Sequence, residues 1–347
     1  MPRAATAPRA RTSPFEALTA RLRVPAPVHE LAVAVEAPVV VDVPAAEAVP
    51  TEPTARREKV IEPPPAAGFG ERAAPASPPP PQLQATRYGD VTPSGGTWAL
   101  LIGINDYPGI RYDLHYAVRD IEDVDEALKR RGVTADRRMI LRDRQATAGV
   151  IRAGLDWLTA HAGPDATVVL FYAGHIQKLG PESEALVGAD GEVVTDAEVA
   201  AMLDRSSASR GWVGLAGCYA AGFTEVVRPG RIVTAAAPAH DLAYENDAFG
   251  RSYLVEYMVR RAMLGAGITT VEAAFAKASA ELQRDHPDRA PVQFDQLEGE
   301  LDLNPTPPPS PPPSGGGGGG APPPTSAPPP REDGCANLTV GVVRCTR

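Results

Sequence analysis

The sequence is poor in the residues that make metal centres, disulfide frameworks and membrane spans. Three cysteines and six histidines serve 347 residues, and no His–Cys spacing among them forms a zinc pattern. Cys335 and Cys345 lie close enough to close a small disulfide loop, but only in an oxidising setting. Cys218 stands alone. No apolar run is long enough to span a bilayer. The N-terminus is basic but lacks the apolar block of a secretory signal, so a cytoplasmic location is expected. Excess positive charge is also missing: 34 Lys and Arg stand against 43 Asp and Glu, a formal net charge of −9. With no long basic patch and no nucleic-acid motif, neither nucleic acid nor a membrane is expected as a partner.

Proline and glycine are plentiful, at 38 and 32 residues, and much of both lies towards the two ends. Residues 1–90 read as a Pro/Ala-rich arm. It is either mostly disordered or a prosegment whose apolar pieces, around Leu31 to Val35 and Val39 to Val43, dock on the core and cover an edge strand. Residues 304–334 read as a Pro/Gly-rich linker and 335–347 as a short tail. Asn337-Leu-Thr339 fits a glycosylation acceptor, which matters only if the tail is extracellular. One domain of ordinary size is expected over 95–303.

Within that span short apolar strands alternate with one-faced helices. Residues 98–104 form the first strand. Residues 114–130 form a helix whose one face carries Val118, Ile121, Val124, Asp125 and Leu128. A short strand follows at 138–141, then a helix capped by Thr147 and running to His161. A third strand occupies 167–172. Further strands are expected at 185–187, 211–215 and 231–234, and helices at about 196–203, 251–264 and 270–282. This alternation is that of a parallel sheet covered on both faces.

Two strand ends carry reactive side chains. Residues 167–172 break at Ala173-Gly-His175-Ile, and residues 211–215 break at Ala216-Gly-Cys218-Tyr-Ala-Ala-Gly222. Small residues there let the backbone turn sharply. Parallel strands end at one edge of an α/β sheet, where ligands bind, so a thiol and an imidazole at two such ends make a candidate nucleophile and base. A buried structural cysteine and an unrelated hydrogen-bonded histidine are the plainer alternative.

Four stretches, in this order, carry a family resemblance: Ala99-Leu-Leu-Ile-Gly-Ile-Asn-Asp-Tyr107, Leu114-His-Tyr-Ala-Val-Arg-Asp120, Phe171-Tyr-Ala-Gly-His175 and the Cys218 segment. Together they resemble the caspase-like cysteine peptidases, especially the metacaspase and bacterial caspase-homologue branch, over about residues 97–303. The resemblance implies an α/β caspase-like three-layer sandwich with a mostly parallel central sheet. It implies a cysteine endopeptidase with catalytic Cys218 and His175, and oxyanion donors at the amides of Cys218 and Ile176. It also implies a substrate pocket for a basic residue before the scissile bond, floored by Asp120. Departures are visible: Ile176 stands where the family has glycine, and Ala216 replaces a second pocket aspartate. The substrate expected is a polypeptide, with autoprocessing or a prosegment contact; no cofactor is required by the sequence, and calcium dependence is left open. The alternative is a catalytically degenerate domain acting as a protein-binding or scaffold module.

Overall fold

The computed structural model describes residues 58–61, 63–64, 76–79, 83, 91–303, 334–338 and 342–346. The docking expected of residues 31–43 and the linker at 304–334 lie outside these. In chain order the strands and helices are β1 (Glu58–Val60), β2 (Ser94–Gly103), α1 (Ala117–Arg130), β3 (Arg138–Arg142), α2 (Ala148–His161), β4 (Ala162–Ala173), β5 (Ile176–Gly180), β6 (Ser183–Val187), β7 (Val193–Thr195), α3 (Asp196–Leu203), β8 (Arg210–Ala216), β9 (Arg231–Ala235), β10 (Tyr244–Asn246) and β11 (Arg251–Ser252). A π-helix, α4 (Val255–Gly265), then α5 (Val271–Asp285) and β12 (Val292–Asp295) close the domain, and β13 (Gly334–Leu338) and β14 (Val342–Thr346) follow.

The architecture is mixed α/β, with a mostly parallel central sheet between helices, consistent with a caspase-like sandwich. The sheet order is β13-β14-β12-β9-β8-β4-β2-β3. From β3 through β9 all neighbours are parallel, and β12 joins β9 antiparallel. The chain leaves β2 for β3 on one side and returns past β2 to β4. With right-handed crossovers this sends α1 and α2 to opposite faces. Helices α4 and α5 pack with each other, α4 packs with α1, and α3 packs with α2. Strands buried on both faces read as continuous apolar runs; from Ala166 to Ala173 every residue of β4 is buried.

Local signals fix most of the boundaries. The Thr147 side chain accepts from the Val150 N–H at the start of α2. Thr195 and Glu198 form a reciprocal capping box on α3, and such caps contribute about 1 kcal/mol each. Two expected helices start late for a reason outside their own sequence. Helix α1 begins at Ala117, not at Leu114, because the Leu114 N–H is bonded to the Asn105 carbonyl at 2.8 Å and those of His115 and Tyr116 to Glu245. Likewise Arg251 and Ser252 form β11 against β10 before α4 begins. Among the described residues no helix is long and apolar enough to cross a membrane.

Candidate active site

Strands β4 and β8 run in parallel register to their ends, with Ala173 opposite Ala216. Two residues further on in each strand stand His175 and Cys218, so the fold brings the two expected side chains to neighbouring ends of the same sheet edge. Both are buried. The chain can turn there only because of two glycines. A Cβ on Gly217 would sit 2.6 Å from the Gly174 carbonyl oxygen and 2.9 Å from Ile176 Cγ1. One on Gly174 would sit 2.5 Å from Tyr107 Oη and 2.7 Å from Tyr172 Oη. Neither approach leaves room for a side chain. Tyr219, directly after the cysteine, takes a left-handed conformation at φ 56°, which costs a residue with a Cβ about 1 kcal/mol. Such strain clusters at functional sites.

The imidazole is oriented by backbone and by two tyrosines. His175 Nε2 lies 2.7 Å from the Tyr112 carbonyl oxygen, so Nε2 carries the hydrogen and Nδ1 holds the lone pair. Nδ1 is buried and has no hydrogen-bond partner among the described residues, so it is not hydrogen-bonded to the thiol here. The His175 N–H donates to Tyr107 Oη at 2.9 Å, and Tyr172 Oη donates to the carbonyl oxygens of His175 and Val187. The Tyr107 and imidazole rings lie 4.5 Å apart. Burial lowers the His175 pKa to about 4, and Lys59 pushes in the same direction against the Tyr112 bond.

That shift makes stability depend on pH. The unfolded histidine binds its proton near pH 6.5 and the folded one only near 4, so the contribution is complete above pH 6.5 and falls as pH drops towards 4. Between pH 7 and 4.5 the parent is expected to lose about 2 kcal/mol relative to His175→Gln. The raised carboxyls of Asp120 and Glu245 act oppositely but equally in both proteins. Denaturant titrations at the two pH values measure the gap; a gap independent of pH contradicts the assignment.

Cys218 Sγ donates to the Ile61 carbonyl oxygen at 2.6 Å and accepts from the Ala243 N–H at 3.2 Å. The second contact favours a thiolate once the proton has gone. Ile61 belongs to a stretch that composition alone leaves inside the arm. Residues 58–60 form β1, antiparallel to β10, and the Ile61 N–H donates to the Ala243 carbonyl at 3.0 Å. Past the thiol, Gln177 Nε2 donates to the Pro64 carbonyl at 3.3 Å. Residues 58–61 and 63–64 therefore cross the edge of the sheet beside Cys218. The only sequence signal for this was the pair Val60-Ile61, too short for any periodicity to detect.

The remaining expected residues are placed as follows. Ile176 opens β5 opposite Leu186. It is not among the residues with positive φ, so the position has ordinary dihedrals and does not demand glycine. Ala216 is buried at the end of β8, and its carbonyl accepts from the Gly174 N–H at 3.3 Å. Asp120 is buried in α1 and accepts from the Ser252 N–H at 3.1 Å; burial raises its pKa well above the usual carboxylate value. Its carboxyl group thus holds β11 against α1. Sequence reasoning missed the Tyr112 carbonyl, Tyr107, Tyr172 and Glu245, which act through backbone contacts that no motif shows. Among the described residues no group of three or more His, Cys, Asp and Glu could hold a metal ion.

Residues 97–209 match the family model described as "Caspase domain", so a caspase-family domain is present. The matched span contains His175 and stops before Cys218. The crystal structure of protein GSU0716 from Geobacter sulfurreducens aligns at 16% identity with a TM-score of 0.47, covering 59% of this chain and 94% of that one. No curated protein matches the sequence.

Proposed function

We propose that the chain is a cysteine endopeptidase of the caspase-like class, held latent by its own residues 58–61 and 63–64. The observation that carries the reading is the strand seated at the thiol. It lies in antiparallel register with β10 and points the Ile61 carbonyl oxygen at Cys218. Main-chain pairing along a strand is how an extended peptide is gripped without regard to sequence.

In the working state the Cys218 proton passes to His175 Nδ1, the lone-pair nitrogen that the Tyr112 contact defines. The thiolate attacks the carbonyl carbon and a C–S bond forms. Amides of the Cys218 turn and Ile176 receive the oxyanion. The C–N bond breaks as His175 returns its proton to the leaving amine. Water then attacks the thioester, giving the new carboxylate and regenerating the thiol. In the latent state the thiol instead donates to the oxygen of the Ile61 carbonyl, and Nδ1 receives no proton.

A second reading is a module that binds extended peptides without cutting them. The absence of a hydrogen bond from Nδ1 to the thiol favours it. Iodoacetamide alkylation of the full chain at pH 7, read by peptide mass, separates the two. For a peptidase, His175→Ala is expected to slow labelling of Cys218 by tenfold or more, since the imidazole supplies the thiolate. Equal rates in parent and variant favour the binding module. Cys335 and Cys345 give separate peptides and serve as internal controls.

A further inference from the structure

The segment seated at Cys218 is held by more than its backbone. Glu58 and Lys59 each meet a fixed partner. Lys59 stands opposite Glu245 in the ladder, and its Nζ donates to the Asp113 carbonyl. Glu245 cannot swing away, because its carboxylate accepts the His115 and Tyr116 N–H groups at 3.0 and 2.8 Å. Glu58 pairs with Arg289 at 2.5 Å and accepts from Tyr253 Oη. Arg289 is fixed in turn, with its guanidinium 3.7 Å from the centroid of the Tyr244 ring and paired also with Asp288. Val60 lies opposite Tyr244, and Ile61, whose carbonyl meets the thiol, is buried.

We infer that the cleft is selective for an extended peptide that reads acid, base, aliphatic, aliphatic up to the scissile carbonyl. Arg289 reads the acid, Glu245 with the Asp113 carbonyl reads the base, and Cys218 attacks the carbonyl of the final aliphatic residue. This rests on the peptidase reading and names its substrate class. Chemistry argues for it at each position. A half-buried ammonium needs a carboxylate or carbonyl partner; Lys59 has the Asp113 carbonyl, with Glu245 opposite in the ladder. At the position of Ile61 the surroundings are apolar core, and the one carboxylate that the family resemblance places near a basic pocket, Asp120, is bonded to the Ser252 backbone. An arginine there would enter apolar core.

Peptidyl acyloxymethyl ketones test the reading on the full-length protein, with labelling of Cys218 followed by mass. The parent probe carries Glu-Lys-Val-Ile. Three relatives change one residue each: Lys to Glu, Glu to Lys, and Ile to Arg. Each change is expected to slow labelling at least tenfold. Arg289→Glu is expected to reverse the order of the Glu-Lys-Val-Ile and Lys-Lys-Val-Ile probes, a swap that a general loss of structure cannot produce. Faster labelling by the Arg-terminated probe, or no response to reversing the charge of the lysine, overturns the selectivity while leaving the peptidase standing. Failure of all four probes to label Cys218, with iodoacetamide still reacting there, overturns the peptidase reading and this inference together.

Discussion

Cys218→Ala is expected to lower kcat/KM for peptide hydrolysis by about a thousandfold or more, because no other group at the sheet edge can form the acyl intermediate. The fold should survive. The thiol is fully buried, but alanine is smaller and apolar, and the turn depends on Gly217 and Gly174 rather than on sulfur. One secondary effect is expected. The substitution removes the donor to the Ile61 carbonyl and the acceptor for the Ala243 N–H, and each missing hydrogen bond costs about 1 kcal/mol. Cys218→Ser keeps both interactions in kind and should be as inactive, with a melting temperature nearer that of the parent. Fluorogenic peptide assays and thermal melts of the three proteins read the outcome. Hydrolysis by the alanine variant at the parental rate removes Cys218 from the mechanism.

Lys59→Glu combined with Ile61→Asp is expected to raise the rate of Cys218 alkylation by about a hundredfold. Exposing or charging the buried Ile61 removes about 2 kcal/mol of apolar burial. Reversing Lys59 sets two carboxylates opposite each other in the ladder, at about 1 kcal/mol. Together these come to about 3 kcal/mol, and each 1.4 kcal/mol is about tenfold in the open fraction. Ile61 packs on the core but neither residue belongs to the domain's central sheet, so the sheet should stay folded, which a thermal melt of the double variant checks. Peptide hydrolysis should rise in parallel. Iodoacetamide kinetics on the full chain check the result; unchanged labelling would mean that the strand does not shield the thiol.

The parts of this arrangement legible in the sequence are those with short-range causes. The apolar run at 167–172 and the capping residues Thr147 and Thr195 mark their elements directly, and the small residues around His175 and Cys218 mark two strand ends. That both ends share one edge follows from parallel pairing, which needs only the alternation of strand and helix. What was not legible depends on distant backbone atoms. The start of α1 is set by Glu245 from far along the chain. The tautomer of His175 is set by a carbonyl at Tyr112, and any residue type could supply a carbonyl. Asp120 fits a pocket floor by motif, yet its environment is decided by where β11 passes. Residues 58–61 could not be distinguished from the arm around them, because their partners lie in β10 and at Asp113, Tyr253 and Arg289.

The strand at the thiol and the domain it covers are one polypeptide, joined through residues 65–90. Its closure is therefore unimolecular. Dilution cannot open it, and a competing peptide must overcome a local concentration of order millimolar, typical of short tethers. Four residues with a single buried aliphatic side chain are a weak ligand once freed from that connection. A single cut between Pro64 and Ala76 would turn the same contacts from a first-order closure into a second-order one. At micromolar protein the strand would then leave and not return. Control of this site thus resides in the continuity of a stretch of chain that need touch neither the sulfur nor the imidazole.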